Sequence, residues 1–85
     1  MTAFGYFDES RPLRFTEHAD DQGLERNISR EDALQVLKNP SKMAVAERGC
    51  HNVWGHTVGG KRIRVTINFS ANVVVTLANA DRRLQ

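Results

Sequence analysis

Residues 61–69 read Lys61-Arg62-Ile63-Arg64-Val65-Thr66-Ile67-Asn68-Phe69, and their alternation decides the fold. In an extended chain Ile63, Val65, Ile67 and Phe69 share one face, while Arg62, Arg64, Thr66 and Asn68 share the other. A strand with one apolar and one polar face suits an antiparallel sheet covered on one side only. Gly59-Gly60 precedes this run, and Val53 to Val58 lies before the glycines, the spacing of a tight hairpin. On the other side, Ser70-Ala71-Asn72 turns the chain into Val73 to Ala78. That nearly continuous apolar run is typical of a strand buried on both faces. Met43 to Arg48 supplies a less regular first strand.

Ahead of Pro40 the signals are helical. Thr16 is an N-cap, followed by Glu17, Asp20 and Asp21 in the turns where the helix dipole favours acids. This helix is expected to run to about Arg26 and stop at Asn27, with Gly23 weakening it by ~1 kcal/mol relative to alanine. Ser29-Arg30-Glu31-Asp32 is a capping box with aspartate in place of glutamate, and it opens a second helix. Ile28, Ala33, Val36 and Leu37 form its apolar stripe, and Asn39-Pro40 ends it. The expected architecture is α+β, with two N-terminal helices packed on a three- to four-stranded antiparallel sheet. Residues 1–13 read as an irregular lead-in from which Phe4, Tyr6 and Phe7 can dock, and residues 14–85 as a single domain.

Length and composition set the outer limits. The chain has 85 residues, 40% hydrophobic and 26% charged, the make-up of one ordinary globular domain. The longest wholly aliphatic run is Val73-Val74-Val75, far short of the ~18 residues of a membrane helix. The first fifteen residues carry acids and arginines where a signal peptide has an apolar core. The lone Cys50 offers no internal disulfide, so the cytosol is the expected compartment. A domain of this size buries only roughly 60–65% of its unfolded surface, so a stabilising partner or a homodimer is a natural expectation. Charge is unevenly spread. Residues 1–37 carry four arginines against eight acids, a net −4, and residues 38–85 carry eight lysines and arginines against two acids, a net +6. A basic half suits a phosphate-bearing or acidic partner, although a solvated basic face has the same composition.

The standard catalytic motifs are absent, including phosphate-binding glycine loops, HExxH, GxSxG and paired CxxC. Cys50, His51 and His56 lack a fourth ligand and the spacing of structural zinc, and Cys50 and His51 point to opposite faces of an extended chain. No cofactor or metal is implied. What remains is His18, His56, Arg26, Arg48, Arg62, Arg64, Thr66 and Thr76, a set suited to metal-free RNA cleavage. In that reaction a 2′-hydroxyl attacks its own phosphodiester while a base removes its proton. Arginines stabilise the charge on the phosphorane and an acid protonates the leaving 5′-oxygen. Histidine serves as base or acid near neutrality, whereas arginine only binds and stabilises. Each residue also has a plain role: His18 at a helix terminus, Arg26 in an ion pair, Thr76 as a β-former.

A two-residue hairpin at Gly59-Gly60 sets Thr57 opposite Arg62, Gly55 opposite Arg64 and Val53 opposite Thr66. The guanidinium forks then face small neighbours and are free to reach a ligand. The same register sends Trp54, His56 and Val58 to the helix side; a one-residue bulge reverses the assignment.

Phe15-Thr16-Glu17-His18-Ala19, Glu25-Arg26-Asn27-Ile28-Ser29 and the helix ending at Asn39-Pro40 together resemble a small bacterial domain family of unknown function. Its pattern is F-T-x-H-A, then E-R-G-I-S, a helix and N-P. Gly60-Lys61-Arg62-Ile63-Arg64-Val65 and Val74-Val75-Thr76-Leu77 match its later strands, so the resemblance spans about residues 14–78. The family is similar to the fold shared by BrnT, RelE, barnase, EndoU and colicin ribonucleases. The resemblance implies a ribonuclease toxin blocked by an antitoxin or immunity protein. Carried over residue by residue, it implies catalytic roles for His18, Arg26, Arg62, Arg64 and Thr76, with Lys61, Arg48 and His56 assisting RNA binding. Gln22 stands where the family usually has arginine, and Asn27 where it has glycine.

Overall fold

The computed structural model describes residues 10–80. Phe4, Tyr6 and Phe7 lie outside the described residues. In chain order the elements are β1 (Arg14–Phe15), α1 (Glu17–Arg26), α2 (Arg30–Lys38), β2 (Lys42–Val45), β3 (His51–His56), β4 (Arg62–Asn68) and β5 (Val73–Asn79). The strands form one sheet in the order β1-β5-β4-β3-β2, antiparallel throughout except that β1 runs parallel to β5. The sheet is therefore five-stranded and mixed, which corrects the expected three or four antiparallel strands. Two residues are too few for an alternation, so β1 has no sequence signature. Its partner contacts create it: Arg14 N donates to Asn72 O and Thr16 N to Val74 O, each at 3.0 Å.

Buried Asn72 anchors this edge. It takes a left-handed φ of 57°, which asparagine tolerates. Its Nδ2 donates to the carbonyls of Arg11 and Pro12 at 3.2 and 3.0 Å, tying the lead-in to the turn before β5. Both helices begin as their caps dictate. Thr16 Oγ1 accepts from Ala19 N, and Ser29 and Asp32 exchange both capping-box hydrogen bonds. Asn27 closes α1 at φ 58°.

The helices cover one face of the sheet, α1 over β5 and α2 over β3 and β4. Ala19, Ile28, Ala33, Val36 and Leu37 from the helical segment meet Val53, Ile63, Val65, Ile67, Val74 and Leu77 from the strands. Gly23 permits the close approach of α1, because a Cβ there would sit 2.6 Å from the Ile28 carbonyl oxygen. Arg30 joins the helices through a two-pronged hydrogen bond to Asp20 and stacks over Phe15. It holds the Asp20 carboxyl below its ordinary pKa, chiefly through that hydrogen bond.

Two further expectations are corrected. Strand β5 is not buried on both faces: Val74 and Leu77 are buried, whereas Val73, Val75, Thr76 and Ala78 are half-buried on the side away from the helices. The β3–β4 hairpin also has a three-residue loop. Thr57 N donates to Lys61 O and Gly60 N to Thr57 O, both at 2.9 Å, with Gly60 at φ 87°. This is a turn closed by a glycine bulge, and it shifts every pair by one residue relative to the two-residue loop. His56 faces Arg62, Trp54 faces Arg64 and Asn52 faces Thr66.

Candidate nucleic-acid interface

The shifted register decides what lies on the uncovered face of the sheet. Since Ile63, Val65 and Ile67 point at the helices, Arg62, Arg64, Thr66 and Asn68 point away from them. Three rows cross the strands on that face. The first is His56 and Arg62. The second is Lys42, Trp54, Arg64 and Ala78, and the third is Ala44, Asn52, Thr66 and Thr76. Trp54 and His56, expected beside the helices, therefore stand among the arginines. Lys42 Nζ lies 4.9 Å from the centre of the Trp54 ring, a cation–π contact.

Arg62 and Arg64 are half-buried, yet neither side chain makes a hydrogen bond or ion pair among the described residues, and both Nε atoms are buried without an acceptor there. The ion pair among the described residues joins Arg30 to Asp20 near the helices, away from these side chains. Buried polar atoms normally have partners, and these two neighbouring Nε groups find none among the described residues. Phosphate oxygens match the planar fork of arginine.

Next to the arginines lies a cleft of about 770 Å³ between the β2–β3 loop and the sheet. The floor includes Asn52, Thr66, Asn68 and Thr76, and Glu47 and Arg48 stand on the rim. A bulge in the β4–β5 pairing, where Thr66 pairs with Thr76 but Ile67 with Val74, turns both Val75 and Thr76 into it. Arg48 and Gly49 form the tip of the loop with φ of 60° and 75°. For Arg48 this is a left-handed conformation that an L side chain rarely adopts.

The anticipated site residues fall into two groups. Arg62, Arg64 and His56 share the open face, and Thr76 and Arg48 line the adjoining cleft. Lys61, Arg26 and His18 lie elsewhere. Lys61 Nζ donates to the carbonyls of Arg26 and Asn27 at 2.7 and 3.2 Å, capping the C-terminus of α1. Arg26 Nη1 donates to Leu77 O at 3.1 Å, and Gln22 Oε1 accepts from Leu77 N at 3.0 Å. These two side chains satisfy the β5 backbone just past the end of β1, where an open edge would otherwise invite pairing. His18 is exposed one turn ahead of Gln22 on α1, and its side chain makes no hydrogen bond among the described residues. Sequence reasoning missed Lys42, Trp54, Asn52 and Asn68 as site residues. The alternation Asn52-Val53-Trp54-Gly55-His56 carries the signal, once the loop is counted as three residues.

This face can hold a phosphate chain on its cations, stack a base on Trp54 and offer the His56 imidazole as a proton acceptor opposite Arg62. No cluster of three histidine, cysteine or acidic side chains that would hold a metal occurs among the described residues. Comparisons with protein families, curated proteins and solved structures find no match to this chain.

Proposed function

We propose that the chain binds single-stranded RNA across the open face of its sheet and cleaves it without a metal, by attack of a 2′-hydroxyl on the adjoining phosphodiester. The observation that carries the reading is the pair Arg62 and Arg64, adjacent on one strand face, whose Nε atoms have no acceptor among the described residues. The arginines bind the scissile phosphate and stabilise the charge that gathers on it. His56, paired with Arg62 across the hairpin, takes the 2′-hydroxyl proton, and the leaving 5′-oxygen is protonated from water. The sequence resemblance assigns that chemistry to His18 instead, and kinship with BrnT- and RelE-like toxins rests on the same resemblance. In that setting the natural inhibitor is an acidic antitoxin or immunity protein that covers the basic face.

A second reading, RNA binding without cleavage, is favoured by one observation. Arg26, at a helix position the resemblance makes catalytic, and Gln22, where the family usually has arginine, are both engaged with the Leu77 backbone.

The test is incubation of purified protein with a labelled single-stranded RNA in excess chelator. Cleavage products ending in a 2′,3′-cyclic phosphate, absent when the substrate is 2′-deoxy at the cut, establish the reaction. His56→Ala and His18→Ala, each with an unchanged melting curve, then locate the base. Binding without cleavage leaves the second reading, and absence of RNA binding overturns both.

A further inference from the structure

The cleft beside the arginines has a lining that no phosphate contact explains. Asn68 Oδ1 accepts from Ala71 N at 3.2 Å, which commits the carbonyl end of that side chain to the turn after β4. Its amide nitrogen has no hydrogen bond among the described residues. Asn52 repeats the arrangement: its Oδ1 accepts from the Thr66 hydroxyl at 2.6 Å, and its Nδ2 has no hydrogen bond among the described residues. Two carboxamides thus turn N–H donors toward the same space, and Arg48 on the rim carries donors alone. The rim carboxylate of Glu47 is the complementary acceptor. Positions 64 and 66 of β4 share a face and lie about 7 Å apart, so a nucleotide whose phosphate sits on Arg64 has its base within reach of the cleft.

Building on the RNA-binding reading, we infer that this cleft is a nucleobase pocket selective for keto bases, uracil or guanine. The two amide donors match O2 and O4 of uracil, or O6 and N7 of guanine, and Glu47 matches the imino N–H of either base. Cytosine and adenine present an exocyclic amine where the keto base has O4 or O6, so amine would face amide at one donor, and the bare ring nitrogen beside it would face the Glu47 carboxylate. Volume agrees, since about 770 Å³ admits a base with room for its sugar. Asn52, Asn68 and Glu47 are then specificity-determining residues, distinct from the arginines that hold the backbone.

The test uses short abasic ribose-phosphate strands that carry one central uracil, one central cytosine or no base, with binding followed by fluorescence anisotropy. The native protein is expected to bind the uracil strand roughly tenfold more tightly than the cytosine strand. Asn68→Asp retains the acceptor for Ala71 N while replacing the donor, so the fold is kept. In that variant the preference shrinks to parity or reverses toward cytosine, and the added charge weakens all three strands alike. Asn52→Asp, which retains the acceptor for Thr66, gives the same reversal. Equal affinity of the native protein for uracil and cytosine strands overturns the pocket while leaving RNA binding intact. So does a preference that survives both substitutions. Failure to bind even the abasic strand overturns the pocket together with the reading beneath it.

Discussion

Replacing Arg62 and Arg64 together by glutamine tests the interface most directly. Four permanent cations stand on the open face and its cleft: Lys42, Arg48, Arg62 and Arg64. A single strand that contacts all four gives a log–log salt slope of about −2.8, since each neutralised phosphate contributes about −0.7. Between about 50 and 200 mM salt, affinity then falls roughly 50-fold. The double variant keeps two contacts, so its slope drops to about −1.4 and its loss over the same range to roughly sevenfold. Neither side chain hydrogen-bonds another group among the described residues, so the variant should melt with the native protein. Anisotropy titrations of a labelled oligonucleotide across that salt range supply the slopes. Lys61→Met is the internal control. Its ammonium caps α1, so the substitution should lower stability by about 1–2 kcal/mol and leave the slope unchanged. An unaltered slope in the double variant, or a reduced one in Lys61→Met, would refute the assignment of the open face.

Three further outcomes are expected. Arg48→Gly relieves a left-handed residue at φ 60° and should stabilise the fold by about 1 kcal/mol in urea titrations, while weakening RNA binding through the lost cation. Gln22→Arg supplies no acceptor for Leu77 N and should destabilise by about 1–2 kcal/mol, whereas Gln22→Glu retains the acceptor and stays close to the native protein in the same urea titration. Asp20 has a lowered folded-state pKa, so its contribution is present above the unfolded carboxylate value and lost as pH falls through the folded one. Thermal melts of Asp20→Asn should therefore lie below those of the native protein at neutral pH, with the gap closing in acid.

What could be read in advance is what local chemistry determines. The caps at Thr16 and Ser29, the stop at Asn39-Pro40 and the faces of β4 each follow from a few neighbouring residues. The failures share a different cause. Thr57-Val58-Gly59-Gly60-Lys61 accommodates a two- or a three-residue loop, and the hydrogen bonds from Thr57 N to Lys61 O and from Gly60 N to Thr57 O mark the latter. That loop moves Trp54 and His56 from the helix side to the arginine side. Strand β1 exists because Asn72 gathers the lead-in, and Lys61 caps a helix that ended more than thirty residues earlier in the chain. Apolar content misleads in β5, because valines on an open face beside polar side chains look no different in sequence from valines in a core.

The cations of this chain sort by their acceptors, and the sorting separates scaffold from function. Arg26 and Lys61 donate to backbone carbonyls, and Arg30 donates to Asp20. Each closes a gap where an unsatisfied carbonyl or an edge would otherwise weaken the fold, so each is accounted for by folding alone. Among the described residues, the side chains of Arg62 and Arg64 close nothing. They lie side by side on a strand whose opposite face is fully buried, at the energetic disadvantage of unsatisfied Nε atoms, and a neutral polar residue would serve the sheet as well. These described cations thus fall into two groups, and the proposed binding rests on the pair without an acceptor among the described residues. On that ground the open face, rather than the helix row of His18, Gln22 and Arg26, is where binding is to be sought first.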